Sequence, residues 1–171
     1  MIERSKRRFA GPRLSEVARR LLDASTLCAI STVAEGGRAH VNTAYFAWSD
    51  ELNVVWLSEP RAKHSQNIRR NGSAAIAVFD SAQTWGKPDR GIQLFGAAQE
   101  TDDEHAEAVY AARFPQYRRG RFGAYRLYVL RPRRVKLFDE RELGAATFVT
   151  ARVGRDGTLT WERTERYRSK R

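Results

Sequence analysis

The chain has 171 residues, of which 42% are hydrophobic and 30% charged, and a formal net charge of +11. This length and apolar content suit one globular domain with a real core and exclude a disordered chain. No run approaches the ~20 apolar residues of a membrane-spanning helix, residues 1–13 lack the apolar core of a secretory signal, and the single cysteine, Cys28, excludes both an intramolecular disulfide and a cysteine-built zinc site. The expected location is therefore the reducing cytoplasm.

A charge of +11 suggests a nucleic-acid partner, but its distribution argues otherwise. Residues 1–13 carry Arg4, Lys6, Arg7, Arg8 and Arg13 against Glu3, and residues 163–171 carry Arg163, Arg166, Arg168, Lys170 and Arg171 against Glu165. Each end holds +4, leaving +3 for the body. The expected organisation is a basic tail over 1–13, one domain over 14–162 and a second basic tail over 163–171, both tails being solvated.

Taken in chain order, Leu14, Val17, Ala18, Leu21 and Leu22 fall at helical spacing and predict a helix over 14–24. Three strands follow, over 26–33, 38–48 and 54–58, with Gly36-Gly37 and residues 49–53 as turns. Residues 62–70 predict a short helix closed by Asn71-Gly72. The apolar run 73–79 predicts a strand covered on both faces. A loop over 80–89 leads to a strand over 90–99. Thr101 and Glu104 have capping-box spacing, with Thr101 as the cap of a helix that ends at Phe114-Pro115. Strands over 125–130 and 134–138 are separated by Arg131-Pro132, and Gly154-Arg155-Asp156-Gly157 joins a last hairpin, 147–153 with 158–162. Many short strands with few small helices indicate a mainly β, α+β chain closed into a barrel. No dinucleotide-binding or P-loop motif occurs.

The chemistry concentrates in Trp56 to Asp80. A strand delivers Ser58, and a loop then supplies Arg61, Lys63 and His64 at a helix start. The free amides of a helix start favour anions, and a hydroxyl with two cations completes a phosphate cradle. Asn67 shares a helical side with Lys63 and His64. A connecting helix with solvated charges would carry the same residues.

The order strand–Ser–loop–basic pair–Asn-Ile-x-x-Asn-Gly–apolar strand resembles the pyridoxamine 5′-phosphate oxidase-like flavoproteins, the FMN-binding split β-barrels. The likeness extends from Leu14 to Asp139 and includes RGIQLFGAAQE (90–100) and RFP (113–115). It implies a homodimer with flavin mononucleotide (FMN) at the subunit interface. The phosphate roles fall on Ser58, Lys63 and His64, with Arg61 and Asn67 assisting. Asn42, Thr43, Ala44 and Tyr45 correspond to the strand along the flavin ring, and Gln93 to a further ring contact. The family's basic pair is commonly Arg-Lys, whereas Lys63-His64 stands here. Its Arg-x-His substrate motif is absent from 131–171, which argues against pyridoxamine phosphate as substrate.

The expected function is an FMN-dependent oxidoreductase acting on a small molecule, the flavin carrying the hydride chemistry. Within the same fold the deazaflavin F420 or haem is the alternative, with His64 or His40 as an iron ligand. A basic nucleic-acid-binding barrel is the alternative of another class, disfavoured because no strand carries an RNP-type aromatic pattern. Trp85, in a glycine-containing loop, is a candidate cap for a flavin ring. Arg118, Arg119 and Arg121 with Arg131, Arg133 and Arg134 read as a solvated basic surface.

Overall fold

A computed structural model describes residues 1–118, 120–121 and 123–167. The elements are β1 (Ile2–Ser5), α1 (Gly11–Asp23), β2 (Leu27–Val33), β3 (Ala39–Trp48), β4 (Val54–Ser58), α2 (Lys63–Arg70), β5 (Ser73–Val78), β6 (Arg90–Thr101), α3 (Glu104–Arg113), β7 (Arg126–Asp139), β8 (Thr147–Val153) and β9 (Leu159–Tyr167), with a 3-10 turn at Glu35–Gly37. All the pairings are antiparallel. Strands β7-β4-β3-β2-β5-β6 run side by side, and β6 pairs back onto β7, closing a six-stranded barrel. β8, β9 and β1 extend from β7 as a wing. The fold is a mainly β split barrel with three small helices.

Alternation along the strands fills the barrel. Cys28, Ile30 and Thr32 of β2 and Ala74, Ile76 and Val78 of β5 point inward. Trp56 of β4 stacks on Tyr128 of β7, with ring centroids 5.8 Å apart. The helical stripe Leu14, Val17, Ala18, Leu21 and Leu22 is buried against the same core, each large side chain contributing about 1.5–3 kcal/mol. A second, smaller core forms where α3 lies on the outside of β3, β4 and β7: Ala47, Val55, Ala106, Tyr110, Leu127 and Val129.

Four sequence expectations need correction. The basic ends are not tails, although Arg4, Lys6, Arg7, Arg8 and Arg166 are exposed: β1 pairs with β9, setting Arg4 opposite Glu165 and Glu3 opposite Arg166, so opposite charges face each other across the ladder. Arg168, Lys170 and Arg171 lie outside the described residues, as does Arg119. Strands 125–130 and 134–138 are one strand, β7. Its pairing with β6 shifts register between Phe95 and Gly96, and this bulge accommodates Pro132, which cannot donate to a regular ladder. The capping box does not form, because β6 holds Thr101 opposite Leu127; Asp103 caps α3 instead, accepting from the His105 N–H. Finally, β5 is covered on one face only. Ser73 is exposed, Ala75 and Ala77 are half-buried, and Phe79 just beyond the strand is 49% exposed.

Candidate functional site

β3 and β4 part company halfway along. They pair at Phe46–Trp56, Ala47–Val55 and Trp48–Val54. Beyond that point β4 continues on β7, with Leu57 opposite Leu127 and Ser58 opposite Arg126. β3 continues on β2 alone, from Tyr45 down to Ala39. The N–H of Phe46 donates to the Thr26 carbonyl on the β2 side. By the two-residue alternation of a strand, Tyr45 and Thr43 turn their main-chain groups the other way, onto the open edge. A cleft of about 540 Å³ occupies this opening.

One end of the cleft is polar. Ser58, at the end of β4, is 7% exposed, and its Oγ lies 2.6 Å from His64 Nε2. His64 is in the first turn of α2, whose cap residue Ala62 supplies no side-chain bond to the helix amides. Burial, and next the neighbouring His40, lower the His64 pKa below its ordinary value. The pair is therefore an uncharged hydroxyl and imidazole at neutral pH. Along the β3 edge, Asn42 lines the cleft, and its Oδ1 has no hydrogen-bond partner among the described residues.

The other wall is aromatic. Tyr110 and Phe114 come from the end of α3, and Tyr117 and Tyr125 from the loop after it. Phe114 meets Tyr45 edge-on at 5.9 Å and Tyr110 at 4.9 Å; Tyr117 meets Tyr110 edge-on at 5.4 Å. Burial, and next Tyr117, push the Tyr110 phenol up to about 12, so it stays protonated.

The cleft thus gathers Asn42, Thr43, Ala44, Tyr45, Ser58 and His64. The other sequence candidates lie elsewhere. Arg61 has a side chain 89% exposed and ion-pairs with Glu59 at 3.2 Å. Lys63 is exposed at the α2 start. Asn67 is fully buried and donates from Nδ2 to Thr32 Oγ1 at 3.0 Å, tying α2 to β2. Gln93 faces outward on β6, between Ala77 and Lys136. The aromatic wall escaped the sequence reading. Tyr110 and Phe114 are four apart on a helix, a weak signal that gains meaning only because α3 lies over β3.

Among the described residues no carboxylate lines this cleft, and no group of three His, Cys, Asp or Glu side chains could hold a metal. The arrangement suits a planar aromatic ligand with an anionic end. The sequence profile described as Pyridoxamine 5′-phosphate oxidase matches residues 14–139. The chain belongs to this family. No curated protein matches it by sequence. Solved structures share its fold. A haem-binding protein from Mycobacterium smegmatis superposes with a TM-score of 0.66 at 18% identity, over 84% of this chain and 59% of that one. The chain thus spans less than two thirds of that relative's length. A Clostridium acetobutylicum protein related to general stress protein 26, of the pyridoxinephosphate oxidase family, gives 0.59 at 11% identity, over 82% and 95% of the two chains. HutZ, a haem storage protein from Vibrio cholerae, gives 0.56 at 20% identity, over 71% and 88%. Among the described residues no helix of this family member is long and apolar enough to cross a membrane.

Proposed function

We propose that this pyridoxamine 5′-phosphate oxidase family chain binds FMN in the β3–β4 cleft and is an oxidoreductase acting on a small molecule other than pyridoxamine phosphate. The observation that carries the reading is the cleft's polarity: a hydroxyl–imidazole pair beside an uncapped helix start at one end, an open strand edge, and an aromatic wall. Ser58, His64 and the first amides of α2 would hold the phosphate. The Thr43 and Tyr45 main chain and Asn42 Oδ1 offer donors and an acceptor to the edge of a heterocycle. Tyr45, Tyr110 and Phe114 would exclude water from one side of it. Bound there, the flavin would supply the hydride transfer, which fits a cleft with no carboxylate among its described lining residues. The family assignment implies a homodimer with this site at the subunit interface.

Haem is the second reading, favoured by the two haem-associated neighbours in fold. It is weakened by the geometry, since His64 would have to give up its 2.6 Å contact with Ser58 to present Nε2 to iron. The absorbance spectrum of the purified protein, before and after adding FMN, decides. A bound flavin spectrum is expected. A Soret band with no flavin uptake would replace this reading with the haem one, and uptake of F420 in preference to FMN would replace the cofactor alone.

A further inference from the structure

A cavity of about 550 Å³ opens on the outside of the barrel, across β6, β7 and β8, and shares no residue with the β3–β4 cleft. Its size suits a small molecule, for which sites run to ~300–1,000 Å³. One side is Phe95, Gly96 and Ala97 of β6, and the other is Arg133 and Arg134 of β7 with Arg152 of β8. Among the described residues no carboxylate lines it. From the sequence, Arg133 and Arg134 look like part of a solvated surface; the fold gathers them around this opening instead.

The bulge in β7 builds the cluster. A regular strand would turn Arg133 and Arg134 to opposite faces. The register shift between Phe95 and Gly96 gives β7 one extra residue. Both arginines are therefore exposed, while Pro132 before them and Val135 after them are buried. Across the next ladder Arg134 is directly opposite Arg152, and like charges in that position oppose folding. One carboxylate answers the cluster from outside the cavity: Glu162 accepts from Arg134 with both oxygens, at 2.8 and 3.1 Å. Among the described residues Arg133 and Arg152 have no ion pair, and neither has Arg131, opposite Ala97. Positive charge held on paired strands without a counter-charge calls for an anion.

The neighbours narrow the choice of anion. Beyond the cavity the basic residues are paired: Lys136 and Arg163 both reach Glu165, at 3.6 and 3.5 Å. A nucleic-acid strand needs a basic groove that continues along its backbone, and this one stops. A compact set of guanidinium forks instead suits several phosphates on one small molecule. Phe95 stands in the same cross-strand row as Arg134 and Arg152 and is 39% exposed. Ala75 across the β5 ladder and Gly96 beside it are too small to cover the ring. An exposed ring beside guanidiniums is a stacking platform for a base. From β6 to β8 is about 10 Å, which leaves room for a sugar between base and phosphates. We propose that the outer face of β6-β7-β8 binds a nucleoside polyphosphate, with Arg133, Arg134 and Arg152 on the phosphates and Phe95 under the base. The site is separate from the cleft and does not rest on the flavin reading.

The anisotropy of ATP carrying a fluorescent group on its ribose, titrated with the full chain at ~0.15 M ionic strength without divalent metal, tests this. Saturable binding is expected, with unlabelled ATP and inorganic tripolyphosphate competing and AMP about tenfold weaker or more. Arg133→Ala and Arg152→Ala should each weaken ATP by about tenfold or more, the loss of a charge-assisted bond. Arg152→Ala should also leave the thermal midpoint of the unliganded chain unchanged or raised, because it removes the charge opposite Arg134. Phe95→Ala should weaken ATP about fivefold or more while tripolyphosphate stays within about twofold. No saturable binding by the parent chain, or full binding by the Arg133→Ala/Arg152→Ala double variant, would overturn the proposal. Displacement of the labelled ATP by FMN would also overturn it, by placing the nucleotide in the β3–β4 cleft. An oligothymidylate that displaces ATP at lower concentration, with a steep salt dependence, would replace it with a strand-binding surface. ATP binding unaltered in Phe95→Ala would reduce the ligand to a bare polyphosphate and sink the nucleotide assignment.

Discussion

His64 is the residue on which the proposed phosphate site turns. In the free protein its burial and the nearby His40 disfavour the imidazolium. A phosphate dianion beside Nε2 would reverse that preference, because an opposite charge within a few ångströms favours the charged form. Binding then takes up a proton. The sign follows: FMN affinity should rise as pH falls from 8.5 towards 6, by about tenfold for each unit separating the bound and free pKa values. The gain levels off near pH 6, where the phosphate itself takes up its second proton, whose pKa is about 6. The same lowered pKa acts on stability in the opposite sense. The neutral form is favoured in the fold, so the contribution is present above the unfolded value of 6.5 and is lost as pH falls from there through the lower folded value. Removing the ring should cost a charge-assisted bond, about 1.5–3 kcal/mol, or about 10–150-fold in affinity at pH 6, and much less at pH 8.5. Titrating FMN fluorescence at pH 5.5–8.5 with the parent chain, His64→Ala and His64→Arg measures all of this. The alanine variant should bind weakly with a flattened profile, and the arginine variant should bind tightly throughout. A level dissociation constant across that range in the parent chain, unchanged in His64→Ala, would refute the phosphate assignment.

Ser58→Ala should weaken FMN binding by about tenfold or more at unchanged fold, since the hydroxyl offers a bond to a charged group worth about 1.5–3 kcal/mol; equal binding in the same titration would move the phosphate elsewhere. Asn67→Ala should act on stability instead: losing the buried bond to Thr32 costs about 1–3 kcal/mol, read as a lower urea midpoint with FMN affinity within about twofold when folded. Gly96→Ala should be more damaging, because a Cβ there would sit 2.1 Å from the Arg131 carbonyl oxygen. The bulge that admits Pro132 has no room, and overpacking of about 1–3 kcal/mol should lower the thermal midpoint.

Much of the barrel was legible because its strands alternate and its turns carry glycine. The misreadings share a cause. Arg131-Pro132 breaks a strand by local rules, yet Gly96 across the ladder gives the proline its place. Thr101 is a good cap in isolation, but its pairing with Leu127 keeps it in β6. The basic ends look unstructured until each supplies the other's partner charges. In every case a residue distant in sequence decides the local state. The site divides the same way. Ser58 and His64 are six apart, so their meeting is a local event that motif reading can find. Asn67 shares the helix of His64 and looks from the sequence like a helper, but α2 sits on β2, and the side chain that points there is buried in a structural bond.

The aromatic wall shows why the cleft is a product of topology rather than of a motif. β3 is ten residues long and β4 five, so β4 cannot cover β3's whole edge. β7 is fourteen residues long and captures the end of β4, drawing Ser58 away from β3. The gap this leaves has a strand edge on one side and a helix start at its end. α3 packs over the strands still paired, and its last turn, stopped by Pro115, reaches the rim with Tyr110 and Phe114. Length mismatch opens the slot, chain order puts the polar pair at one end, and the helix end supplies the rings. Any family member with a short β4 and a long β7 should keep the slot. What fills it is then set by a few residues. Replacing Lys63-His64 by the family's more usual Arg-Lys would change its charge without changing its shape. That swap should flatten the pH dependence described above and lower the fold's stability in the absence of ligand, because Lys63 is exposed but burial at position 64 disfavours a charge.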